Sequence, residues 1–159
     1  MTLLKTCLIS FFAMIALTAT AATPPTLNDI DRFSFVNMQN DTTISVSFTS
    51  AGCFHYESGV MTFTPETVAY GDETKTVGFE DMAGVDKYLR NLAHKQGQLG
   101  GCTSSTTLTL TLNRDGQAVG QKTLRDDFCF REDGMVSPDS LRYRLFEQEE
   151  AEQLSLIKK

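Results

Sequence analysis

The chain has 159 residues, 14 Lys and Arg against 20 Asp and Glu, a formal net charge of −6, four cysteines and no tryptophan. So acidic a chain, without clustered Lys and Arg, is not built to neutralise a phosphate backbone, which argues against nucleic-acid binding. The length suits one domain that can bury a core of its own.

The chain starts Met-Thr-Leu-Leu-Lys, continues into the apolar run Leu8-Ile9-Ser10-Phe11-Phe12-Ala13-Met14-Ile15-Ala16-Leu17, and places Ala19 and Ala21 where a signal peptidase reads small residues. Residues 1–21 therefore read as a secretory signal cleaved after Ala21. The run is shorter than the roughly 20 residues that span a bilayer, so no integral membrane segment is expected after cleavage. Residues 22–29, with Pro24 and Pro25, read as a flexible leader, and residues 30–159 as a single α+β domain. The expected location is periplasmic or secreted, where disulfides persist.

Residues 31–38 alternate weakly through Phe33, Phe35 and Asn37, and residues 43–49 alternate clearly, with Ile44, Val46 and Phe48 against Thr43, Ser45 and Ser47. The two segments are expected to pair as a hairpin across the turn at Asn40-Asp41. Ala51-Gly52 reads as a strand break and Ser58-Gly59 as a further turn. Strands follow over 60–64, 67–70 and 76–79, with Gly71-Asp72-Glu73 as the turn between the last two.

The period changes at residues 81–95. Val85, Leu89, Leu92 and Ala93 fall on one helical stripe, flanked by Met82 and Tyr88. Asp81 is the expected N-cap, and Asp86, Lys87, Arg90 and Asn91 form the polar face.

Leu108, Leu110 and Leu112 then alternate with Thr107, Thr109 and Thr111, a strand with one face turned to a core. Asn113-Arg114-Asp115-Gly116 is expected to make a type I turn with a glycine bulge. If Asn113 opposes Gln117, Cys102 and Cys129 come within one residue of each other. Gly120 and Lys122 then share the leucine face. A Cys102–Cys129 disulfide would stabilise the hairpin by about 3–4 kcal/mol on the chain-entropy estimate. Local geometry favours this pairing over the two that use Cys53, and one thiol of the exported chain is left over.

Ser137-Pro138-Asp139 reads as a helix start, with Leu141, Leu145, Ala151 and Leu154 as the stripe, although Leu141, Tyr143 and Leu145 also fit a strand. The sum is an α+β fold: an antiparallel sheet of hairpins and meander, one central helix packed on it and a C-terminal helix.

Chemistry is sparse. Cys53-Phe54-His55-Tyr56 places Cys53 and His55 on one face if it is a strand, and these two are the candidate reactive or ligand residues. A buried sheet cysteine beside a half-buried histidine explains the same letters without chemistry. No nucleophile elbow, phosphate loop, paired zinc motif or calcium loop is present, so no cofactor is expected. Export, small size, acidity and a stapled hairpin point to a binding protein without catalytic activity. It would be of the inhibitor or immunity type and act on a partner protein, with the Arg114–Asp115 turn as candidate contact. The alternatives are a small thiol or metal-dependent enzyme using Cys53 and His55, and a structural envelope component. Intact mass after alkylation, with and without reduction, is expected to show the loss of residues 1–21, one free thiol and one disulfide mapping to Cys102 and Cys129. Three free thiols on an uncleaved chain would contradict export.

Overall fold

A computed structural model describes residues 27–128 and 133–148 of the chain. The proposed signal, most of the leader, Cys129, Ala151 and Leu154 lie outside the described residues. A 3₁₀ turn, Leu27–Phe33, precedes strands β1 (Thr42–Gly52), β2 (Tyr56–Phe63), β3 (Thr67–Tyr70) and β4 (Glu73–Thr76). Helix α1 (Phe79–Lys95) leads into β5 (Ser104–Arg114) and β6 (Gln117–Asp126). A short helix α2 (Pro138–Arg142) runs on into one π-helical turn, Tyr143–Glu147. The six strands form one antiparallel sheet in the order β4-β3-β2-β1-β5-β6. This is the α+β architecture expected.

The long helix follows from that order. Successive strands β1 to β4 form a meander to one edge, and β5 then pairs with β1, four positions back. At roughly 4.8 Å per strand the chain must cross about 19 Å. The 17 residues of α1 reach about 25 Å at 1.5 Å each.

Antiparallel pairing puts opposed residues on the same face, so the register prints the inner face as four rows. Three are apolar in the middle of the sheet: Val68-Phe63-Ile44-Leu112-Gly120, Tyr70-Met61-Val46-Leu110-Lys122, and Gly59-Phe48-Leu108-Leu124. Against them pack Met82, Val85, Tyr88, Leu89 and Leu92 of α1, Phe33 and Phe35 from before β1, and Leu141 and Phe146 from the C-terminal segment. The outer face carries hydroxyls instead, among them Ser45, Ser47 and Thr49 on β1 opposite Thr111, Thr109 and Thr107 on β5.

Several local expectations are corrected. Residues 31–38 form no strand and do not pair with β1, whose neighbours are β2 and β5. Asp86 decides this: it is buried, not on a polar face, and accepts hydrogen bonds from Phe35 N (2.7 Å) and Ser34 Oγ (2.8 Å). The segment is thereby tied to α1 while Phe33 and Phe35 still reach the core. Asp81 is not the helix cap, because α1 starts at Phe79 with Gly78 before it. β1 runs on through Ala51 and ends at Gly52, Ser58-Gly59 lie inside β2 rather than at a turn, and β4 begins at Glu73.

The β5–β6 turn is tighter than expected. Arg114 opposes Gln117, leaving only Asp115 and Gly116 in the loop, both with positive φ (51° and 75°). That is the mirror-image turn whose twist matches a hairpin, and Asp-Gly is a favoured pair for it. The bulge lies further on, where Val119 is skipped between Leu112 and Asn113. Arg32 donates to the Val119 carbonyl (3.3 Å). Gly120 and Lys122 do share the leucine face.

Ser137 caps α2 as expected, accepting from Ser140 N (3.1 Å), with Pro138 in the first turn. The strand alternative for this segment is not adopted. Five residues of α-helix do not hold themselves in water. What docks α2 is Arg142, only 5% exposed. Its guanidinium meets Glu57 on β2, Asp139 and Glu147, and lies 5.7 Å from the Phe48 ring and 5.4 Å from the Tyr70 ring. Among the described residues its Nε is the one buried side-chain nitrogen or oxygen without a hydrogen-bond partner. Burial works against its charge, but the Asp139 and Glu147 hydrogen bonds and the Glu57 charge outweigh it, raising the pKa above the usual arginine range. Arg142→Ala is expected to lower stability by about 3–5 kcal/mol in urea unfolding. Arg142→Lys should restore less than half of that, because an ammonium cannot replace a planar fork. Full recovery by lysine would contradict this account.

Candidate functional site: a polar cleft at one end of the sheet

A fourth row continues the inner face beyond the leucines, and it is polar: Glu57 on β2, Ser50 on β1, Thr106 on β5 and Asp126 on β6. Tyr88 from α1 reaches over this row, and Asp139 of α2 faces it. His55 stands at the rim, in the connection between β1 and β2. All of these except Glu57 line a cleft of about 230 Å³.

The bonds in its wall are directional. Thr106 Oγ1 donates to Ser50 Oγ (3.0 Å). Ser50 Oγ lies 3.3 Å from His55 Nε2 and donates to it when that nitrogen is unprotonated. Tyr88 OH donates to Asp126 Oδ2 (2.6 Å), while Phe128 N donates to Asp126 Oδ1 (2.8 Å). Ser137 Oγ donates to Ser140 Oγ (2.8 Å). Asp139 Oδ1 accepts from Arg142 Nη2 (3.0 Å). Burial, then the hydrogen bond to Asp126 and the charges of Asp126 and Asp139, push the Tyr88 phenol far above its usual range. It therefore stays protonated.

Beside the cleft, and sharing His55 and Ser104 with it, is a second hollow of about 220 Å³ that Cys53 and Phe54 also line. Phe54 is fully exposed and Tyr56 is 74% exposed. Leu99, fully exposed, belongs to the same end of the sheet. The next residue, Gly100, presses on the end of β6 so closely that a Cβ there would lie 2.1 Å from the Asp127 carbonyl oxygen. Only glycine fits. Hydrogen bonds from Ser105 and Arg125 hold the Asp127 carboxyl below the usual range.

The residues singled out from sequence fall in three places. Cys53 and His55 are not on one strand face; both lie in the β1–β2 connection, where Cys53 is free and exposed and His55 is turned to Ser50. Cys102 lines the cleft, and its backbone N–H donates to the Asp127 carbonyl (3.0 Å). Arg114 and Asp115 are at the opposite end of the sheet, where Arg114 pairs with Asp41 (3.8 Å). The sequence reading missed Ser50, Tyr88, Thr106, Asp126 and Asp139 as a group. The signal was there: Ser50, Thr106 and Asp126 are polar residues at inward positions of their strands, two residues beyond Phe48, Leu108 and Leu124. A polar residue where the period demands an apolar one marks a lined cleft.

Among the described residues, no group of three or more His, Cys, Asp or Glu could hold a metal ion, and no helix is long and apolar enough to cross a membrane. Comparison with protein-family models, curated proteins and solved structures finds no match to the chain.

Tyr88→Phe leaves Asp126 Oδ2 without its donor and is expected to cost about 1–3 kcal/mol. The raised phenol pKa also sets a sign. The folded chain keeps a proton that the unfolded chain releases above about pH 10. Tyr88 therefore stabilises the fold below that pH, and the contribution fades as pH rises beyond it. Urea unfolding between pH 9 and 11 should show a steeper loss for the native protein than for Tyr88→Phe; equal slopes would count against the buried phenol.

Proposed function

We propose that the protein is an exported binding protein without catalytic activity, of the inhibitor or immunity type, that engages a partner protein in the periplasm or outside the cell. Cleavage after Ala21 and a Cys102–Cys129 disulfide belong to this reading. The observation that carries it is the exposure of Phe54, Tyr56 and Leu99 at one end of the sheet, where Phe54 also lines a hollow. Exposed aromatics next to a concave, rigidly backed surface are the makings of an interface hot spot. Both flanking strands of the β1–β2 connection are tied into the sheet, so little ordering is needed on binding. The other candidate contact, the Arg114–Asp115 turn, lies at the opposite end of the sheet.

The enzyme alternative would use Cys53 and His55, which line one hollow in the β1–β2 connection, with His55 Nε2 3.3 Å from Ser50 Oγ. A second reading rests on Cys53 itself: a free, exposed thiol in an exported protein can form an intermolecular disulfide. A covalent dimer on a non-reducing gel, lost in Cys53→Ser, would favour a structural envelope component.

The test places a photo-crosslinking side chain at either end of the exported full-length protein, as Phe54→p-benzoylphenylalanine or Asp115→p-benzoylphenylalanine. A stoichiometric protein adduct is expected from the first position and none from the second; no adduct at position 54 would sink the proposal. Phe54→Ser with Tyr56→Ser should weaken that partner's binding by about 2–4 kcal/mol without lowering stability.

A further inference from the structure

We propose that β6, the long edge of the sheet, is held closed against strand addition by a second copy of this chain, with the side chains of Gln96 and Arg32 standing where the next strand would bond.

An edge strand presents a row of backbone donors and acceptors on which another chain can build. The two edges of this sheet differ. On one side it steps down through β3 and β4, four residues each, and strands so short offer little to build on. On the other side stands β6, ten residues long. Gln96, the residue that follows α1, meets β6 as a neighbouring strand would. Its Oε1 accepts from Arg125 N (3.0 Å) and its Nε2 donates to Arg125 O (2.8 Å). These are the two bonds that a paired residue exchanges across an antiparallel ladder. The same Nε2 donates to Leu92 O (3.0 Å), which fixes the carboxamide to the end of α1. Arg32 covers a second outward carbonyl, that of Val119 (3.3 Å), at the bulge. Alternate residues of a strand turn their backbone groups the same way, so the outward positions between Val119 and Arg125 are Gln121 and Thr123.

Lys122 lies between those two and points inward, 8% exposed, in the row of Met61, Val46 and Leu110. Two copies that pair β6 antiparallel about Lys122 would set Gln121 of each against Thr123 of the other. That register brings the two lysines directly opposite on the inner face, where like charges repel and the added strand shuts off their water. It also sets Val119 against Arg125, the two residues already engaged by Arg32 and Gln96. Both guards are exposed residues. They come from opposite sides of the helix in sequence, yet both converge on the outward backbone of one strand. Bulge, inward lysine and two borrowed side chains are the means by which a long edge is kept from pairing.

The experiment uses the exported full-length protein carrying Cys53→Ser, which removes covalent dimers through that thiol. In Gln96→Ala the Arg125 amide is expected to exchange with solvent about tenfold faster by NMR, the equivalent of one hydrogen bond lost. An unchanged rate overturns the role of Gln96. Sedimentation then compares the Cys53→Ser parent with Gln96→Ala/Arg32→Ala and with that pair plus Lys122→Met. The parent is expected to stay monomeric. The triple variant is expected to dimerise as its concentration rises, and the double variant to do so more weakly. In those dimers the Gln121 and Thr123 amides should exchange at least about tenfold more slowly than in the parent. A triple variant that stays monomeric, or a dimer whose Gln121 and Thr123 amides exchange as in the parent, overturns the proposal. So does a parent that already dimerises with those amides protected. Should the triple variant fail to fold by circular dichroism, the double variant, altered only at exposed positions, is judged by the same criteria.

Discussion

A single buried cation holds the C-terminal segment of this protein to its sheet. Arg142 lies among Glu57, Asp139 and Glu147 and against the rings of Phe48 and Tyr70. A helix as short as α2 has no stability of its own, so its position depends on that contact and on the burial of Leu141 and Phe146. The guanidinium is desolvated, and three carboxylates that keep part of their hydration offset the cost. Without it the sheet would keep its hairpins but lose the wall that Pro138 and Asp139 give to the cleft.

The cleft itself is an extension of the core by other means. Each inner row of the sheet uses the same register and the same face; only the chemistry changes between Phe48-Leu108-Leu124 and Ser50-Thr106-Asp126. Burial of the polar row is tolerable because its groups bond one another, which also fixes their orientation. A preorganised polar surface results at the end of the sheet where the exposed aromatics stand. The other end is closed by the Asp115-Gly116 turn and the Asp41–Arg114 pair.

Most strands were legible because their information is local. Leu108, Leu110 and Leu112 alternate with threonines, and Val85, Leu89 and Leu92 follow a helical period, whatever surrounds them. The errors came where a distant partner overrides the local pattern. Asp86 sits at a helical position that periodicity assigns to solvent, and only the backbone N–H of Phe35 makes its burial favourable. Phe33 and Phe35 alternate like strand residues but sit in and just after a 3₁₀ turn. Gly52, Ser58 and Gly59 have the composition of turns, yet long neighbouring strands draw them into the sheet.

What the sequence determined by itself was the fold class, the inward and outward faces of each long strand, the main helix and the start of the last one, because each follows from side-chain period and capping chemistry within a few residues. The tertiary structure alone decided which residues make a site. Ser50, Tyr88, Thr106, Asp126 and Asp139 come from five separate elements, and no spacing in the chain relates them. They meet because β5 returns to pair with β1, α1 crosses the inner face to allow it, and Arg142 draws α2 down over the end of the sheet.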